Sequence, residues 1–115
     1  MDRYEYMEHN GIAYFHATAE APYDGGLKRL HQDIQGILAC PESALRAGRS
    51  AAVSIGVYLD DSGAVIHTEV VRAAYHSLNK EALRIIDALD EWTPLLIEGV
   101  AVHSAFLVQV PFELN

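Results

Sequence analysis

Apolar residues recur along this chain with two different periods, and the positions where the period changes mark its elements. Leu27, Leu30, Ile34, Ile37 and Leu38 fall three or four apart, with Lys28, Arg29, Gln32 and Asp33 outside the stripe. That spacing predicts a helix with one buried face, opening at Asp24 as its cap. Cys40-Pro41 begins a second short helix running through Arg46, because proline fits a first turn, where its missing N–H costs nothing; Gly48 closes it. From Ala52 the period drops to two. Val53, Ile55, Val57 and Leu59 share one side, and Ala52, Ser54, Gly56 and Tyr58 the other, the pattern of a strand with one face in a core.

Asp60-Asp61-Ser62-Gly63 reverses the chain into a returning strand, Ala64 to Arg72. Val70 and Val71 are adjacent there, so one of them points away from the core or marks a bulge. Ser77 is placed to cap a third helix, whose Leu78, Ala82, Ile85, Ile86 and Leu89 again lie on one face. Beyond Trp92-Thr93-Pro94 and a Glu98-Gly99 turn, alternation resumes from Val100 to Leu114. Val100, Val102, Ser104, Phe106, Val108, Val110, Phe112 and Leu114 face one way; Ala101, His103, Ala105, Leu107, Gln109, Pro111 and Glu113 face the other. Pro111 has no ladder donor, which places this strand at a sheet edge. Ile12 to Thr18 reads as a short strand at an edge outside the main units. The expected fold class is α+β, with two layers: an antiparallel three-stranded sheet with helices packed on one face. Residues 1–18 read as an N-terminal extension and 19–115 as the domain.

Composition narrows the function classes. Of 115 residues, 50% are hydrophobic and 21% charged, which suits one globular domain. The formal net charge of -8 repels phosphate backbones, and the basic side chains are scattered singly or in pairs, so nucleic acid is not an expected partner. The same acidity keeps the surface solvated and suits a partner with a basic segment. The first ten residues are polar and acidic, unlike a signal peptide, and no apolar run approaches the roughly 20 residues of a membrane-spanning helix. As written, the chain carries no membrane segment.

The candidate chemistry is sparse. His9, His16, His31, His67, His76 and His103 form none of the short spacings that aim two imidazoles at one metal, so no metal or other cofactor is expected. His67 and His103 lie on strands expected to be neighbours and are read as a cross-strand polar pair. Cys40 is single, forms no internal disulfide, and reads as a small apolar side chain at a helix start. Asp60 and Asp61 are turn formers rather than catalytic carboxylates. Asp24-Gly25-Gly26 lacks the lysine and preceding strand of a phosphate loop. Trp92 reads as a plug at the end of the helix-sheet core. No nucleophile, base and orienting group can be assembled, so no enzyme is expected.

The order of several short motifs resembles a known family. Pro22-Tyr23-Asp24-Gly25-Gly26, Cys40-Pro41 through Gly48, the strand to Leu59 with its Asp60-Asp61-Ser62-Gly63 turn, Glu81-Ala82-Leu83, Trp92-Thr93-Pro94 and Val110-Pro111-Phe112 together look like the C-terminal domain of TonB energy-transducing proteins, over Ala19 to Asn115. The resemblance implies the α+β fold and a non-catalytic module whose partner is the short N-terminal box of an outer-membrane receptor, in energy-coupled transport. Such a module captures an extended peptide by pairing it with a sheet edge. The edge expected to receive it is the last strand, with Val102, His103, Ala105, Leu107 and Gln109 as the partner-binding residues, and the same edge would allow a homodimer. The sequence departs from the family at Arg49-Ser50-Ala51, at the apolar Leu95-Leu96-Ile97, and in lacking an N-terminal membrane helix and proline-rich linker. An excised domain would be periplasmic. A complete chain would be cytoplasmic, and the alternative role is then a free-standing self-associating or inhibitor-like acidic domain.

Overall fold

The computed structural model describes residues 5–17, 21–39 and 50–112. Cys40, the Pro41–Arg46 helix and Gly48 lie outside the described residues. The elements are β1 (Tyr6–His9), β2 (Ile12–His16), α1 (Gly26–Ile37), β3 (Ala51–Leu59), β4 (Val65–Arg72), α2 (His76–Ala88), β5 (Leu95–Ile97), β6 (Val100–Val102) and β7 (Ser104–Phe112).

The two periods place the main core as expected. Val53, Ile55, Val57 and Leu59 of β3, and Val108, Val110 and Phe112 of β7, meet Leu30 and Ile34 of α1 and Leu78, Ala82, Ile85 and Ile86 of α2 in one buried cluster. The stripe on α1 is narrower than its spacing suggests, because Leu27 and Ile37 are exposed. Neither helix takes the expected side-chain cap. Gly25 occupies the N-cap of α1 with φ 86, and α2 begins after Tyr75, one residue before Ser77. A Cβ on Gly25 would come within 2.7 Å of the Arg29 side chain, and Asp24 instead accepts a 2.8 Å bond from Arg29 Nη1. At the other end of α1, Glu81 of α2 accepts the Ala39 N–H at 2.7 Å and holds Arg84, whose Nη2 donates to the Ile37 carbonyl.

The sheet corrects the three-stranded antiparallel expectation. It has five strands in the order β1-β2-β7-β3-β4, and β2 runs parallel to β7. The antiparallel β7-β3-β4 part is present, but Ile12–His16 lies between β1 and β7, so β1 and β4 take the edges and β7, expected at an edge, is the central strand. The reason is the Asn10-Gly11 pair. Both residues adopt positive φ, 53 and 79, and close a hairpin that adds a strand outside β2. The last strand is also broken. Val100–Val102 pairs with Leu95–Ile97 in a separate two-stranded sheet, turned by Glu98-Gly99, and only Ser104 onward joins β3. Val100, cut off from the core in this way, is exposed.

Ser54 and Tyr58, expected on a solvated face, are buried as well. The sheet curls, so the β1–β2 hairpin lies over the face that carries no helices. Tyr14, Tyr58 and Ala105 form a second cluster there, joined by Met7. At Val70 and Val71 the β3–β4 register shifts; Val70 packs on the core and Val71 turns outward.

Candidate functional site

Strand β7 has two sides of unequal use. Its pairing with β3 runs unbroken from Leu59↔Ser104 to Ala51↔Phe112. On the other side β2 covers only the beginning: Phe15 N–H donates to the His103 carbonyl at 2.9 Å, and Ala17 N–H to the Ala105 carbonyl at 3.1 Å. Main-chain groups alternate sides along a strand. Since Ala105 points toward β2, Leu107, Gln109 and Pro111 point the same way, past the end of β2. Among the described residues, no main-chain partner meets them on that side. Leu107 and Gln109 each present an N–H and a C=O, and Pro111 a C=O alone. A proline sits comfortably here because the donor it lacks would face outward, away from β3.

The five residues read from sequence are thus divided. Val102 belongs to β6 and pairs with Leu95; His103 and Ala105 are engaged by β2 through their carbonyls; only Leu107 and Gln109 lie on the open part of the edge, both exposed. Pro111 joins them.

On the face away from the helices, the open edge borders an apolar recess of about 400 Å³, with Met7, Gly56, Tyr58, Val71, Ala105 and Leu107 in its lining. Gly56 faces Leu107 across the β3–β7 pair and Glu69 across the β3–β4 pair. A Cβ there would reach Val71 Cγ2 at 3.3 Å. The bare backbone at Gly56 therefore makes the floor, while Val71 and Leu107, 60% and 53% exposed, form the lip. A glycine inside a strand otherwise rich in β-branched residues was the sequence signal for this recess. Deeper in, the Tyr58 hydroxyl donates to Glu69 Oε1. Burial, followed by that bond and the charge of Glu69, pushes the Tyr58 hydroxyl up to about 12.

Around Tyr58 the rings form a cluster. His67 stacks on Tyr58 and on His9, with centroids 5.2 and 4.9 Å apart, and His103 meets Tyr14 edge to face. The ring paired with His67 is therefore His9 from the hairpin, in place of the expected His103, because the curl carries β1 over β4. Among the described residues, no three His, Cys, Asp or Glu side chains converge in a way that would hold a metal ion. Asp60 accepts bonds from Ser62 N–H, Ser62 Oγ–H and Ala64 N–H. Those bonds, led by the Ser62 hydroxyl, hold its carboxyl below the usual range and fix the β3–β4 turn. Trp92 packs edge to face on Tyr23 at the end of the core, 5.1 Å between centroids. No helix among the described residues is long and apolar enough to cross a membrane.

The helix-covered sheet and the aspartate-glycine turn are part of the α+β arrangement that the motif order implied. No curated protein and no solved structure matches the chain. The profile of one family does, Gram-negative bacterial TonB protein C-terminal, over residues 38–114. That match covers most of the chain, from the end of α1 to the residue pair beyond β7, and the chain belongs to the TonB C-terminal family.

Proposed function

We propose that this chain is a peptide-receiving module of TonB type, which captures an extended segment of an outer-membrane receptor by pairing it with the open part of β7. Membership in a non-enzymatic, transport-related family supports this reading. The observation that carries it is the run of outward main-chain groups at Leu107, Gln109 and Pro111, with no main-chain partner among the described residues. At about 1 kcal/mol net for each hydrogen bond, those groups give about 5 kcal/mol before the cost of ordering the peptide, a weak and releasable attachment. Self-association through the same edge is the alternative. It is disfavoured by the formal net charge of -8, which each copy would bring to the other.

Proline substitution separates pairing from folding. Leu107→Pro removes an outward N–H and no bond to β3, so the variant should stay folded by circular dichroism while losing binding to a synthetic receptor-box peptide in calorimetry. Ala105→Pro strikes the part of β7 in register with β2 and should destabilise the fold. A folded Leu107→Pro that binds the peptide as tightly as the parent would refute edge pairing. Dimerisation of the parent that Leu107→Pro abolishes, with no peptide binding by either, would favour self-association.

A further inference from the structure

Main-chain pairing alone selects no sequence, yet the open edge of β7 is flanked by two recesses of unequal size. Resting on the edge-pairing reading above, we infer that the apolar recess at Gly56, Val71 and Leu107 is a side-chain pocket. It selects a docked strand carrying one large aliphatic or aromatic residue between polar or small neighbours.

The geometry follows from strand periodicity. In a paired strand, a residue opposite Leu107 directs its side chain to the same face as Leu107, and its neighbours point to the other. That face is the one without helices, where Leu107 overhangs the bare backbone of Gly56 and Val71 stands on the far side. The recess holds about 400 Å³, ample for one large side chain, and its lip is the exposed apolar pair Val71 and Leu107. The neighbouring peptide residues meet a different wall. There His31, Ile34 and Gln35 of α1 border a smaller recess of about 220 Å³ together with Gln109 and Pro111. The smaller volume suits small residues, and His31 and Gln35 can hydrogen-bond polar ones. The apolar recess is continuous with the edge through Leu107, which belongs to both, so the occupant is the docked strand itself. The end of β2 at His16 lines the recess too, and it sets where that strand must begin.

The test uses a library of short random peptides selected on the whole chain. Selected peptides should share a Leu, Ile, Phe or Met alternating with polar or small residues. Replacing that residue by alanine should weaken calorimetric binding to the parent by about tenfold or more. The same replacement should matter little with Val71→Asp, or with Leu107→Asn should the first variant fold poorly. If selected peptides shift the Leu107 and Gln109 amide resonances but their alanine versions bind equally well, the pocket is wrong and edge pairing stands. If the difference persists undiminished in both lip variants, the pocket is likewise overturned. If no peptide binds, or those amides do not move, edge pairing fails and the pocket falls with it.

Discussion

Glu81 is the one buried carboxylate among the described residues, and removing it should be costly in a way that depends on pH. Its side chain, 9% exposed, joins the end of α1 to α2 by accepting the Ala39 N–H at 2.7 Å and two Arg84 donors at 2.6 and 2.7 Å. Glu81→Leu leaves the Ala39 N–H without its partner in a partly buried place, which costs about 1–3 kcal/mol. Divided by a urea slope of about 1–3 kcal/mol/M, that moves the unfolding midpoint down by about 1 M. Glu81→Gln retains an oxygen for Ala39 and loses only the charge that Arg84 faces, so its loss should be smaller. The bond from Arg84 is the main reason the Glu81 carboxyl is held below its ordinary range. A depressed carboxyl stabilises the fold above its unfolded value, about 4.3, and that contribution disappears as pH falls through the folded value. Parent and Glu81→Gln should therefore differ near neutrality and converge toward about pH 3. Urea titrations across that range, followed by tryptophan fluorescence, measure both effects. A gap between parent and Glu81→Gln that stays constant down to acid pH would show that the ionised pair does not tie the helices together.

Two further outcomes test the core and the buried rings. Phe112→Ala removes a side chain only 1% exposed and should cost about 3–5 kcal/mol, while the exposed Gln109→Ala should change stability by less than about 0.5 kcal/mol; equal midpoints would mean the faces of β7 are misassigned. The Tyr58 hydroxyl, pushed up to about 12 by burial, contributes stability that is fully present below an unfolded value of about 10 and is lost as pH rises toward the folded one. Tyr58→Phe should therefore flatten alkaline unfolding, and an unchanged alkaline limb in its denaturation profile would count against the Tyr58–Glu69 bond.

What could be read from sequence was whatever local periodicity determines. The stripes on α1 and α2, the alternation of β3 and β7 and the Asp60 to Gly63 turn depend on neighbours a few residues apart, and each forms. The parallel contact of β2 with β7 joins segments far apart in the chain, and a five-residue strand with aromatic residues on both sides states no partner. Burial of Tyr58 escaped for the same reason, because the hairpin that covers it arrives from the other end of the chain. Leu95-Leu96-Ile97 lacks alternation, so its strand was hidden even though the Glu98-Gly99 turn beside it was visible. Within the candidate site, Pro111 read as the mark of an edge strand, yet β7 lies between β2 and β3, and the proline falls only where the register with β2 has ended. Which part of that edge is free depended on where β2 stops, and no residue of β7 records it.

The unequal sides of β7 also set an order of mechanical strength. On one side nine register pairs bind it to β3. A strand drawn along the other side would hold only Leu107, Gln109 and the carbonyl of Pro111. Were such a strand pulled, the short ladder would rupture before the long one, and the domain would stay whole without refolding.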